Sequence, residues 1–109
     1  MSDVVNHLIQ VDISPGIQVG GFHYAVDTSK EAHKRLRASN VHGQCDFFNQ
    51  IISVDHDLND VEFSSTFIHE VIEAVNYHYC ADNIAHDQIS QLEFGLHQVC
   101  ESLGVRFGK

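Results

Sequence analysis

The spacing of apolar and polar positions changes several times along the chain, and each change predicts a different element. Two short apolar-alternating runs flank Ser14-Pro15-Gly16, a turn signal that contains the only proline. The second run (Ile17, Val19, Phe22, Tyr24, Val26) has the two-residue period of a strand, and Gly20-Gly21 breaks it as a bulge or tight turn. Beyond Ser29 the spacing lengthens. Ala32 and Leu36 stand four apart among charged residues, which predicts a short helix over Lys30–Ala38 capped by Ser29. β-Branched and aromatic residues return over 41–48 and 50–54, with Asn49 as a hairpin tip. A polar stretch from Asp55 to Asp60 ends that strand, and Asn59 or Asp60 can cap a long helix reaching about Tyr79. After a short connection, Ala81 to Ala85, a last helix is expected from His86 or Asp87 to Leu103, stopped by Gly104. This order predicts an α+β fold in which the helices segregate from a small antiparallel sheet. No repeat, low-complexity tract or linker interrupts residues 1–109, so a single domain is expected.

The two C-terminal helices carry the candidate chemistry. At roughly 100° per residue, the long helix places Ile68, Ile72, Val75 and Tyr79 in one stripe, with Phe63, Phe67 and Val71 on the opposite side. A helix apolar on two sides is expected between layers, here the sheet and the last helix. Along the edge of the first stripe runs a polar line of Ser65, His69, Glu73, Asn76 and Cys80. Unpaired polar groups in such a place cost about 1–3 kcal/mol each, so the line should have partners or a ligand. His69 and Glu73 stand four residues apart and project from one face on successive turns, the spacing by which one helix offers two ligands to one metal. Glu70 lies beside that line, where a base acting on a metal-activated water would stand. In the last helix, Ile89, Leu92, Leu96, Val99 and Leu103 form a seam expected to face the core, and His86, Glu93 and His97 border it within roughly 40° of one another. A zinc site needs a third protein ligand and an open position, and either His86 or Glu93 could supply that ligand. His97 reads as a solvent-facing histidine.

Composition narrows the function. The 109 residues are 43% hydrophobic, enough for one core, and 6 basic against 15 acidic residues give a net charge of −9. That balance argues against nonspecific nucleic-acid binding, which needs a basic face. Nine histidines in so short a chain raise the expectation of a metal site. The first residues carry acids and amides where an export leader needs a basic start and an unbroken apolar run, and no stretch approaches the length of a membrane span. Cys45, Cys80 and Cys100 are odd in number and lack CxxC spacing, so free thiols in a cytoplasmic protein are expected, with Cys80 buried and inert. Lys34-Arg35-Leu36-Arg37, the only basic cluster, reads as a solvated helix face. Phosphate-loop, GxSxG and dinucleotide-binding patterns are absent.

The run from Ser65 to Asn76, with its His69-Glu70-Val71-Ile72-Glu73 core, follows a Gly21-Phe22-His23-Tyr24 strand and a hairpin, and it precedes His86-Asp87-Gln88-Ile89, Leu92, Leu96 and Gln98. From about Gly20 onward this pattern resembles the small zincin-like metallopeptidases of phages and mobile elements, on roughly twenty positions. The resemblance implies a minimal zincin fold: a short sheet, an active-site helix and a backing helix. It implies zinc as cofactor, His69 as first ligand, Glu70 as general base, position 73 as second ligand, and a downstream His86 or Glu93 as third. Glu73 departs from the family's usual histidine, and a carboxylate there weakens the metal's Lewis acidity. The expected activity is metal-dependent cleavage of a peptide or protein. The alternative is a catalytically inactive zincin-fold binding module of phage or mobile-element origin.

Overall fold

Gly20 and Gly21 both take positive φ, 60° and 84°, the backbone that a two-residue hairpin turn requires and that side chains disfavour. They join β2 (Ile17–Val19) to β3 (Phe22–Asp27) as an antiparallel pair, so the break in the apolar run is a tight turn. This is seen in a computed structural model that describes residues 8–109. Residues 1–7, read above as lacking an export leader, lie outside the described residues.

Helix α1 (Lys30–Ala38) begins where expected: the Ser29 side chain accepts from the Ala32 backbone N–H at 3.1 Å, and Ala32 and Leu36 are its buried face. The chain then forms β4 (Gly43–Asp46) and β5 (Ile51–Val54), an antiparallel hairpin. Its turn is held by the Asp46 carboxylate, which accepts from both the backbone and the side chain of Asn49. The sheet order is β2-β3-β5-β4. The α+β class is as expected, but the sheet is mixed: α1 carries the chain over so that β5 runs parallel to β3, with Val26 opposite Ile52. The basic cluster of α1 takes part in this packing. Arg35 donates to Ser53 Oγ at 2.8 Å, and Arg37 Nε lies 3.4 Å from Asp55 Oδ2, while Lys34, Arg35 and Arg37 all stay exposed on the solvated face that was expected.

Helix α2 (Asp60–Tyr79) is the centre of the structure, started by the Asn59 side chain accepting from Glu62 N–H at 2.8 Å. On one side, Phe63 and Phe67 join Tyr24, Ile52 and Val54 in the main core; on the other, Ile68 and Ile72 pack against Ile89 of α3 (His86–Ser102). Two strands have no counterpart in the sequence reading as a pair: β1 (Ile9–Asp12) runs parallel to β6 (Val105–Gly108). Four-residue segments at the edges of the pattern carry too little periodicity to show a partner so distant in sequence. No helix among the described residues is long and apolar enough to cross a membrane.

Two expected stripes end differently. Val75 and Tyr79 are exposed, because the last turns of α2 point His78, which bonds Tyr24 and stacks on Phe22, toward the sheet instead. Of the α3 seam only Ile89 is buried; Leu92, Leu96, Val99 and Leu103 face outward, Leu103 with 73% of its surface accessible. Helix α3 is rotated so that Ile89, Glu93, His97 and Cys100 meet the rest of the molecule. The polar partners on α2 described next account for that rotation.

Candidate metal centre

Each member of the α2 polar line except Cys80, which ends the helix as its cap, finds a side-chain partner. Ser65 Oγ donates to Glu93 Oε2, and His69 Nδ1 lies 2.8 Å from Glu93 Oε1. Asn76 is fully buried and stands outside the centre. Its amide clamps the α2–α3 connection by bonding Asp82 Oδ1 and both backbone groups of Ile84. That clamp fixes the entry of α3 and so brings His86 over the turn of α2 that bears Glu73.

His69, Glu73 and His86 converge, each offering one ligand atom within 4.8 Å of the others. His69 Nε2 is 3.4 Å and His86 Nδ1 is 3.5 Å from Glu73 Oε2. Two ligands on a tetrahedral zinc, bound at 2.0–2.2 Å, stand roughly 3.3–3.6 Å apart, so the spacing fits the ion. The hydrogen-bond chemistry fits as well. A carboxylate only accepts, so Nδ1 donates to Glu93 and the neutral ring's Nε2 carries a lone pair. That lone pair faces an anionic oxygen of Glu73, an arrangement relieved by a cation between them. Of the two candidate third ligands, His86 thus joins the converging set, while Glu93 sits behind His69 and orients its ring. The side chains of His69 and Glu93 are each 14% exposed and that of His86 is 76% exposed, leaving the centre closed behind and open at His86.

Glu70 lies on the same wall, buried beneath β4. Gly43 permits this approach: a Cβ there would fall 2.7 Å from Thr66 Cγ2 and 3.0 Å from Glu70 Oε2. Burial pushes the Glu70 carboxyl up to about 7; the His69 ring opposes the rise and the Glu73 and Glu93 carboxylates add to it. The cleft in front encloses about 520 Å³ and is walled by 40–45 on one side and by Glu70, Glu73 and His86 on the other. Among the described residues strand β4 is the outer strand of its sheet, and its Gly43, Gln44 and Cys45 line this cleft. Cys45 lines it too, but burial, with the nearby carboxylates, pushes its thiol up to about 12 and keeps it protonated.

His97, expected in solvent, is half-buried, and its Nδ1 is enclosed without a hydrogen-bond partner among the described residues. The second group that sequence reasoning missed is His33, His56 and Asp57, which also cluster within 4.8 Å. His56-Asp57 in a loop and His33 on a charged helix gave no periodic signal linking them.

No family model matches this chain. Neither a curated protein nor a solved structure is significantly similar to it.

Proposed function

We propose that this chain is a zinc-binding, zincin-like protein of the cytoplasm, with His69, Glu73 and His86 as the metal ligands and Glu93 as the carboxylate that orients His69. The observation that carries the reading is the convergence of His69 Nε2 and His86 Nδ1 on Glu73 Oε2 at 3.4 and 3.5 Å. A zinc ion there would supply a Lewis acid and make water acidic enough to lose a proton near neutral pH.

For the reaction we propose hydrolysis of a peptide bond. Glu70 stands beside the ligand line in the wall of the cleft, placed to take a proton from water and return it to a leaving amine. The free edge of β4 offers backbone donors and acceptors that an extended peptide could pair with along the cleft. The strand edge favours a polypeptide over a compact metabolite. A second reading, a binding module that keeps the metal without turnover, is favoured by the outward-facing Leu92, Leu96 and Val99 on α3, an apolar strip of the kind used to dock partners.

The test compares zinc content with cleavage of a peptide library. His69→Ala should lose one equivalent of zinc per chain, whereas Glu70→Gln should keep it and lose cleavage by about 10²–10⁴-fold. Unchanged zinc in His69→Ala would remove the metal centre. Bound zinc without metal-dependent cleavage of any library member would select the binding-module reading.

A further inference from the structure

We propose that His33, His56 and Asp57 form a second divalent-cation site, of zinc-type chemistry, that clips α1 to the loop between β5 and α2. It shares no residue with the centre on α2. His33 Nδ1 lies 2.6 Å from Asp55 Oδ1, and His56 Nδ1 lies 3.3 Å from the Thr28 carbonyl oxygen. Both partners only accept, so each ring donates through Nδ1 and, when neutral, carries its lone pair on Nε2. Both Nε2 atoms face the same carboxylate, at 3.7 Å from Asp57 Oδ2 for His33 and 3.3 Å from Asp57 Oδ1 for His56. With both rings neutral, their lone pairs and the carboxylate repel, and a cation between them relieves this; the 3.3 and 3.7 Å separations lie close to the roughly 3.3–3.6 Å between ligands on tetrahedral zinc, and one atom from each residue lies within 4.8 Å of the others. Two imidazoles and one carboxylate suit zinc far better than magnesium or calcium, which favour all-oxygen shells.

The surroundings are built to hold these rings. Asp55 is buried to 1% exposure, and its carboxylate also accepts from the Asp57 backbone N–H at 3.0 Å, so one acid fixes both His33 and the segment bearing Asp57. A buried carboxylate behind a ligand histidine is the arrangement that sets ring orientation at metal sites. Asp57 is exposed and opens the position to solvent. Two cations stand nearby: Arg37 reaches within 3.9 Å of Asp57 Oδ2, and Lys109 Nζ donates to the His56 carbonyl oxygen at 2.9 Å. The Arg37 side chain is largely exposed and its bond to Asp55 is long, at 3.4 Å, so Arg37 would weaken the site without blocking it.

Imidazole ¹⁵N spectra of the full chain, stripped with chelator and titrated with zinc chloride, read this site in the wild-type protein. The Nε2 resonances of His33 and His56 should move together to metal-bound positions, separately from those of His69 and His86. In equilibrium dialysis, His56→Ala should weaken one zinc equivalent by about tenfold or more. Arg37→Gln, which keeps all three ligands, should tighten that equivalent several-fold, an effect that a purely structural role for the cluster would not give. His33 and His56 signals unmoved at excess zinc would overturn the site, as would a second equivalent unaffected by His56→Ala. A response at His69 and His86 alone removes only this proposal; a response at His33 and His56 alone removes only the centre on α2.

Discussion

At the level of single residues, the polar line on α2 divides into parts with different tasks. Ser65 and Glu93 hold His69, Asn76 sets the loop, and Glu70 is shielded beneath Gly43. The buried Glu70 has a consequence for stability whose sign follows from its raised carboxyl. The folded state holds that proton more tightly than the unfolded chain, so metal-free stability falls as pH rises from about 4.5 through about 7. Glu70→Gln removes this loss. In chelator at pH 8 the variant should be more stable than wild type by up to about 3 kcal/mol, with the gap closing toward pH 4.5, as read by chemical denaturation. An equal gap at both pH values would show that burial of the charge is not its source. His69, Glu70 and Glu73 were legible in the sequence because helical periodicity fixes which residues share a face. The choice of His86 over Glu93 for the converging set was not legible, since it depends on the Asn76 clamp between two helices.

At the level of elements, what sequence resolved depended on length. The twenty residues of α2 and the capped start of α1 carry several turns of pattern, and both lie where the periodicity puts them. The apolar seam of α3 was misread because periodicity finds an apolar face without saying what it faces. Here His69 and Ser65 draw Glu93 inward and turn the leucines out. β6 was missed because four residues carry little pattern of their own. The contact between β4 and α2 yields a prediction at this scale. Gly43→Ala would drive a methyl into Thr66 and Glu70, so it should destabilise the protein by about 1–3 kcal/mol and widen the cleft. A thermal melt matching wild type would show that β4 can lift away freely.

At the level of the whole molecule, α2 is braced from three sides: the mixed sheet, α3 and the β1–β6 pair. The third brace is small but specific. Phe107 of β6 packs on Phe67 with ring centroids 5.4 Å apart, and its backbone N–H donates to Ser64 Oγ at 2.9 Å. Phe107 is only partly buried, so Phe107→Ala should cost about 1–3 kcal/mol and raise hydrogen exchange both in Ile9–Asp12 and along the middle of α2. Faster exchange confined to 105–108 would mean that the pair is an independent flap. The parallel pairing of β1 with β6 also sets an order on synthesis. A ribosome makes Ile9–Asp12 before the other described elements, but its hydrogen-bonding partner emerges only with residues 105–108, after every other described element has been translated. Through that interval a strand edge bearing Ile9 and Val11 waits unpaired and open to chaperones or to a neighbouring nascent chain. The helix that carries His69 and Glu73 gains its last support only when that wait ends.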